Sequence, residues 1–205
     1  MNEIFSCIFP NQGFIGCTFS DNELLPIIKE IEEMQLDFNS AEPFNNGLVG
    51  HIEKEYLLKK SHKALENLVL PLVPIYQKKF GRADNLTNKE FKLTKTWVNF
   101  QKKYEFNPVH NHPGIYSFVL WIKIPYTIEE ENKYFPVHHT DVNRSGRFSF
   151  TYLDVIGQLH SWVIPADKTY EKRLILWPSQ LSHEVFPFYS SDEYRISISG
   201  NLEVK

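Results

Sequence analysis

The sequence predicts a mainly β fold of the α+β class, an antiparallel barrel or jelly roll with helices laid against one face. Two observations carry this. From residue 91 onward the chain is a series of short runs rich in β-branched and aromatic residues, separated by turn chemistry. Before residue 91 the apolar residues recur at helical spacing instead. Composition agrees: 16 Phe and 10 Tyr among 205 residues favour sheet, and a hydrophobic content of 42% can fill a sizeable core.

Taken in order, NEIFSCIF (2–9) and GFIGCTF (13–19) read as short strands around a turn at Pro10, Asn11, Gln12 and Gly13. Ser20 and Asp21 are cap candidates for a helix running to Phe38, with Leu24, Leu25, Ile27, Ile28, Ile31 and Met34 as its apolar stripe. A second helix is expected from about Leu57 to Phe80, with Leu58, Leu65, Leu68, Leu72, Ile75 and Tyr76 facing the core. Pro71 and Pro74 each remove a backbone donor and should kink or split it. Thr87 to Glu90 has capping-box spacing. Strands follow at 91–101, 116–124, 146–155, 158–164, 173–178, 183–188 and 194–204. The longest connection, residues 125–145, is functional or mobile by its length, and its EEEN stretch reads as a solvated acidic turn. A single domain is expected over 1–205, with 1–90 as helix-rich support and 91–205 as the β core.

Several function classes are excluded. The 22 Lys and Arg stand against 25 Asp and Glu, a net charge of −3, so there is no basic field for nucleic acid. No apolar run approaches the ~20 residues of a membrane helix. The first residues lack a basic region and are broken by Pro10, unlike a signal peptide. Cys7 and Cys17 make no disulfide framework and fit a reducing, cytoplasmic setting.

The chemistry begins at NPVHNHPG, residues 107–114. In a strand, side chains alternate faces, so His110 and His112 point to one side with Cα atoms roughly 6.5 to 7 Å apart. Two imidazoles so placed can bind one ion, and a third ligand must come from elsewhere. His183 is the best candidate, since it begins an apolar strand just after the turn residues Pro178, Ser179 and Ser182. Further on, Arg195, Ser197 and Ser199 share one strand face while Ile196 and Ile198 share the other. If the Ile side packs on helices, the Arg side faces the barrel interior. A buried Arg needs an anion, and its planar fork beside a hydroxyl suits a carboxylate. Lys123 shares alternation with Ser117, Val119 and Trp121 and is a second cation candidate, or else an exposed strand-end Lys. Trp97 and Asn99 share a face of the preceding strand and either line the pocket or pack the barrel.

These residues carry a family resemblance. EFNPVHNHPG and SFVLWIKIP, followed by LWPSQLSHEVFPFYSSDEYRISISGN, resemble the 2-oxoglutarate- and iron(II)-dependent oxygenases common in tailed-phage genomes, over about residues 95–203. The resemblance implies a double-stranded β-helix and a hydroxylating dioxygenase that uses Fe(II), O2 and 2-oxoglutarate and releases succinate and CO2. It implies His110 and His183 as iron ligands and Arg195 with Ser197 as the 2-oxoglutarate site, to which strand alternation adds Lys123 and Asn99 as candidates. A phage protein of this kind would work in the host cytoplasm. The sequence leaves the primary substrate open between a peptide side chain such as proline, a nucleoside, a sugar and another small metabolite.

One position departs from the family pattern. Where Asp or Glu usually stands two residues after the first His, this chain has His112. Either His112 completes a three-histidine set, or Asp141 or Asp154 supplies a carboxylate; His138 and His139 read as solvent-facing. The competing reading is a cupin-type barrel binding zinc, nickel or iron without 2-oxoglutarate, which leaves Arg195 and Ser197 idle.

Overall fold

The computed structural model describes residues 11–80, 86, 89–134 and 142–205. Strands β1 (Ile15–Thr18), β2 (Lys54–Leu57), β3 (Phe91–Gln101), β5 (Tyr116–Lys123), β8 (Arg173–Pro178) and β10 (Arg195–Val204) form a six-stranded sheet in the order β1-β8-β5-β10-β3-β2. Strands β4 (Asn107–His110), β6 (Phe148–Leu153), β7 (Leu159–Ile164) and β9 (Ser182–Val185) form a second sheet in the order β4-β9-β6-β7. Every pairing is antiparallel. The two facing sheets make a double-stranded β-helix.

Side-chain alternation divides the core into two layers. Leu174 and Leu176 of β8, Phe118 and Leu120 of β5, and Ile196 and Ile198 of β10 face the helices. Ile175 and Trp177, Val119 and Trp121 point the other way, onto Phe148 and Phe150 of the smaller sheet. The large sheet is therefore apolar on both faces at its centre. Toward the cavity the inner face turns polar, with Asn99 and Gln101 on β3, Arg195, Ser197 and Ser199 on β10 and Glu55 on β2.

Three helices cover the outer face. Helix α1 (Asp21–Leu36) starts with a capping box formed by Ser20 and Glu23 and buries Leu24, Ile27, Ile31 and Met34. Leu25 lies off that stripe and is exposed. The expected second helix is two helices, α2 (His62–Val69) and α3 (Leu72–Phe80), divided at Leu70 and Pro71. Pro74 is tolerated in the first turn of α3, where the missing N–H has no intrahelical acceptor. The break rotates α3, so Val73 and Tyr76 are buried while Ile75 is 55% exposed, against expectation.

Two further expectations are corrected. Residues 54–57 form the edge strand β2, whose pattern was hidden because Glu55 is the residue it buries. The acidic stretch after Pro125 is helix α4 (Ile128–Lys133), opened by a capping box between Thr127 and Glu130. It is not a solvated turn: Glu131 is fully buried and accepts hydrogen bonds from Ser145 Oγ, the Tyr189 N–H, and the N–H and Oγ of Ser190. The strand expected at 2–9, the turn beginning at Pro10, most of the Thr87 capping box, His138, His139 and Asp141 lie outside the described residues.

Glu30 joins α1 to α2. One carboxylate oxygen accepts from the N–H groups of Lys59 and Lys60 at 2.8 and 3.0 Å, the other from the N–H and Oγ of Ser61 at 2.7 and 2.6 Å. Ser61 offers α2 no side-chain cap, so Glu30 supplies the anion at that N-terminus. Burial raises its pKa, but the hydrogen bonds from Ser61, Lys60 and Lys59 outweigh this and hold it below the ordinary carboxylate value. A depressed folded-state pKa gives stability that is present above the unfolded value and lost as pH falls through the folded one. Glu30→Ala should cost about 3 kcal/mol, or about 6 to 12 °C in a melting scan near neutral pH. That cost should shrink toward acid pH, and a cost independent of pH would contradict the carboxylate's role.

Candidate active site

Three imidazoles meet at one mouth of the barrel. Antiparallel pairing of β4 with β9 sets His110 directly opposite His183, with ring centroids 4.3 Å apart. His112 lies beyond the end of β4, where its N–H donates to the Ser179 carbonyl at 3.0 Å. Its ring is 5.0 Å from each of the other two. Gly114 follows with φ +98°, and a Cβ there would sit 2.9 Å from the Leu202 carbonyl, so the turn that returns the chain to β5 needs glycine. One ligand atom from each histidine lies within 4.8 Å of the others, a spacing that can hold one metal ion.

The hydrogen bonds around the rings fix which nitrogen is free. His110 Nδ1 donates to the Pro108 carbonyl at 2.7 Å and His183 Nδ1 to the Leu181 carbonyl at 3.2 Å. Both therefore present an unprotonated Nε2 to the centre of the trio. Burial lowers all three pKa values. His183 is driven well down, with His110 and His112 adding to the effect. His112 falls to about 4 through burial and the neighbouring His110. His110 is lowered by burial, partly offset by the Pro108 carbonyl. All three are neutral near pH 7, the form that binds metal.

The trio opens onto a cavity whose inner wall carries Arg195, Ser197, Asn99 and Gln101. Arg195 and Gln101 are cross-strand partners on β10 and β3, as are Ser197 and Asn99. Both Arg195 and Gln101 are buried. All five guanidinium N–H groups are engaged. Nε donates to Gln101 Oε1 at 3.0 Å, which also accepts from Nη2. Nη1 donates to Tyr126 OH and to the Gly146 carbonyl at 3.0 Å, and Nη2 to the Phe186 carbonyl at 3.1 Å. Every acceptor is neutral. Among the described residues no carboxylate makes an ion pair with Arg195.

The model of a family described as "Putative 2OG-Fe(II) oxygenase" matches residues 95–201, just over half of the chain. The chain belongs to that family. No curated protein matches it. Among solved structures, a prolyl-4-hydroxylase from Pseudomonas putida is similar with a TM-score of 0.55 at 13% identity, over 95% of this chain and 94% of that one. An oxidoreductase of the 2OG-Fe(II) oxygenase family from Burkholderia pseudomallei gives 0.50 at 14% identity, over 93% and 84%. The α-ketoglutarate-dependent carbocyclase SnoK of nogalamycin biosynthesis gives 0.54 at 11% identity, over 92% and 78%. At these identities the likeness is one of fold. Family membership makes the protein a 2-oxoglutarate- and Fe(II)-dependent dioxygenase with O2 as co-substrate, and the three neutral imidazoles suit iron.

The oxygenase brings together His110, His112, His183, Arg195, Ser197 and Asn99 around one cavity. It leaves Lys123 out. A register shift where β5 pairs with β10 sets Trp121 opposite Ser197 but Lys123 opposite Ile196, so Ile122 is the extra residue and the alternation is broken. Lys123 leaves the inner face, is 48% exposed and ion-pairs with Glu193. Asp154 is also no ligand: it bonds His160 Nε2 at 2.9 Å and caps its own β6–β7 turn. Sequence reasoning missed Gln101, Tyr126 and Glu55. Gln101 could have been found, since it continues the Trp97 and Asn99 alternation along β3.

Loss of any one imidazole should weaken Fe(II) binding by more than the roughly 100-fold that loss of an outer partner can cost. Anaerobic titration of His110→Ala, His112→Ala and His183→Ala measures this, with Lys123→Ala as the control expected to match the parent. Parent-like iron affinity in His112→Ala would remove it from the ligand set.

Proposed function

We propose that the protein hydroxylates a C–H bond of a peptide residue or small molecule. One oxygen atom of O2 enters the substrate and the other enters 2-oxoglutarate, which leaves as succinate and CO2. His110, His112 and His183 hold Fe(II), and Arg195 with Ser197 receives the far carboxylate of 2-oxoglutarate. The observation that carries this reading is one cavity with three convergent neutral imidazoles and a buried guanidinium that, among the described residues, pairs with no carboxylate. A buried cation surrounded only by neutral acceptors is a standing demand for an anion.

Bound iron supplies the oxygen-activating chemistry, and the chain's residues shape what happens around it. Neutral imidazoles leave the metal its full double charge, which attracts the dianionic co-substrate. Trp97, Trp121 and Trp177 line the cavity and exclude water from the reacting centre. The similarity to the Pseudomonas putida prolyl-4-hydroxylase supports keeping a peptidyl proline among the substrates to be tried. The cupin-type alternative is set aside, because the chain belongs to the 2OG-Fe(II) oxygenase family.

Arg195 has no spare donor, so a carboxylate must replace one of its present acceptors. Gly146 and Phe186 use backbone carbonyls. Tyr126 is held by its own bond to the Gly146 carbonyl at 2.6 Å and by stacking on Phe188. Gln101 alone among the four lines the cavity. The incoming carboxylate therefore takes the Nε and Nη2 edge that Gln101 now occupies.

Anaerobic Fe(II) protein should develop a visible charge-transfer band on adding 2-oxoglutarate; its absence would count against the reading. Arg195→Met should weaken 2-oxoglutarate binding by about 30-fold or more while sparing iron. Gln101→Glu places a carboxylate on the same edge and should also weaken 2-oxoglutarate. Unchanged affinity in both variants would show that the co-substrate binds elsewhere.

A further inference from the structure

We propose that Glu55 recognises a basic nitrogen on the primary substrate, so that the substrate is an aliphatic amine or guanidine, free or as a lysine- or arginine-like side chain. This rests on the oxygenase reading of the same cavity and adds to it what the substrate must carry.

Glu55 stands on β2 directly opposite Asn99, and Asn99 stands opposite Ser197. The carboxyl therefore lies in one cross-strand row with the proposed co-substrate site and faces the same cavity. It is 4% exposed. Among the described residues no Lys or Arg pairs with it. Among the described residues its carboxyl has one hydrogen bond, from Asn45 Nδ2 at 3.4 Å, and that amide also serves the Ile52 and Glu53 carbonyls at 2.9 and 3.1 Å. Burial, with the nearby Glu105, pushes its pKa up to about 7. A buried carboxyl with neither a cation nor a full set of donors is costly, and no contact within the fold repays it.

The surroundings fit one kind of ligand. Asn99 and Asn107 line the same cavity, and among the described residues the buried Oδ1 of each has no hydrogen-bond partner. Gly50, at φ +145°, makes room for the second: a Cβ there would sit 1.9 Å from Asn107 Oδ1. When Glu55 is ionised, the form a bound cation favours, the cavity offers its carboxylate and two amide oxygens as acceptors. Ammonium and guanidinium groups are donors only and carry the complementary charge. Leu48, Val49 and Ile52 line the cavity beside them and give an apolar collar for a hydrocarbon stem. An anionic substrate would meet repulsion at Glu55, and an acceptor-only substrate would leave all three groups unpaired.

The test uses the full chain loaded anaerobically with Fe(II) and 2-oxoglutarate. Calorimetry compares the Nα-acetyl amides of lysine and arginine with those of norleucine and citrulline, their uncharged counterparts. The basic probes should bind at least about tenfold more tightly. Glu55→Gln should erase that difference, and Glu55→Asp should restore part of it. Fe(II) and 2-oxoglutarate binding measured in the same variants reports an intact cavity. Equal or undetectable binding of basic and neutral probes by the parent, or a preference that survives Glu55→Gln, overturns the proposal while leaving the oxygenase reading in place. Failure of the parent to bind Fe(II) or 2-oxoglutarate overturns both.

Discussion

Pairing of β4 with β9 is the constraint on which the site depends. Each strand has only four residues, and a pair that short cannot hold itself together in water. It is held from both sides. Beneath it, Phe148, Phe150 and Trp177 pack around His183, with the Phe148 ring stacked 5.5 Å from the imidazole. Beyond it, Ser179 takes the N–H of His112, and its hydroxyl accepts a 2.9 Å bond from Ser117, which also bonds Asn201. The large sheet thereby fixes a segment that belongs to the small one. Two short strands and a glycine turn set three imidazoles to within metal-binding distance because the scaffold around them is rigid.

Burial of unlike charges is the second theme. Arg195 and Glu55 are both buried in the cavity wall, and neither pairs with an opposite charge among the described residues. Each represents stability withheld from the fold and made available to a ligand. Elsewhere the chain spends its buried carboxylates on structure. Glu30 caps α2, and Glu131 gathers the backbone at Tyr189 and Ser190 close to the residues that bond Arg195. The contrast separates the two uses of a buried acid: Glu30 and Glu131 are saturated with short hydrogen bonds, and Glu55 is not.

Alternation made most of this legible in the sequence. The Ile196 and Ile198 face of β10 does pack against the helices, which is why Arg195 and Ser197 turn inward. Residue types from 91 onward marked most strands of both sheets, but β2 lies before them, and β4 ends at His110, so His112 joins the trio from the turn and not from the strand face that the spacing implied. The failures share a physical origin. At Lys123 one inserted residue reversed the face, and no composition signal marks a bulge formed by isoleucine. At Glu55 and Glu131 the buried residue is charged, so a pattern that sorts apolar from polar left the first segment unassigned and put the second in solvent. At Ile75 the break at Pro71 was foreseen, but the rotation it imposes on α3 depends on tertiary packing.

The proposal that matters most is a three-histidine iron centre at His110, His112 and His183, with His112 at the position where the resemblance implies a carboxylate. A crystal structure of the protein grown anaerobically with Fe(II) and 2-oxoglutarate tests it most directly. The account predicts one metal ion bonded to His110, His112 and His183, with the first and last through Nε2. It also predicts the far carboxylate of 2-oxoglutarate on Arg195, with Gln101 moved aside. A metal bound through a carboxylate with His112 turned away, or a metal seated off the trio, would contradict it.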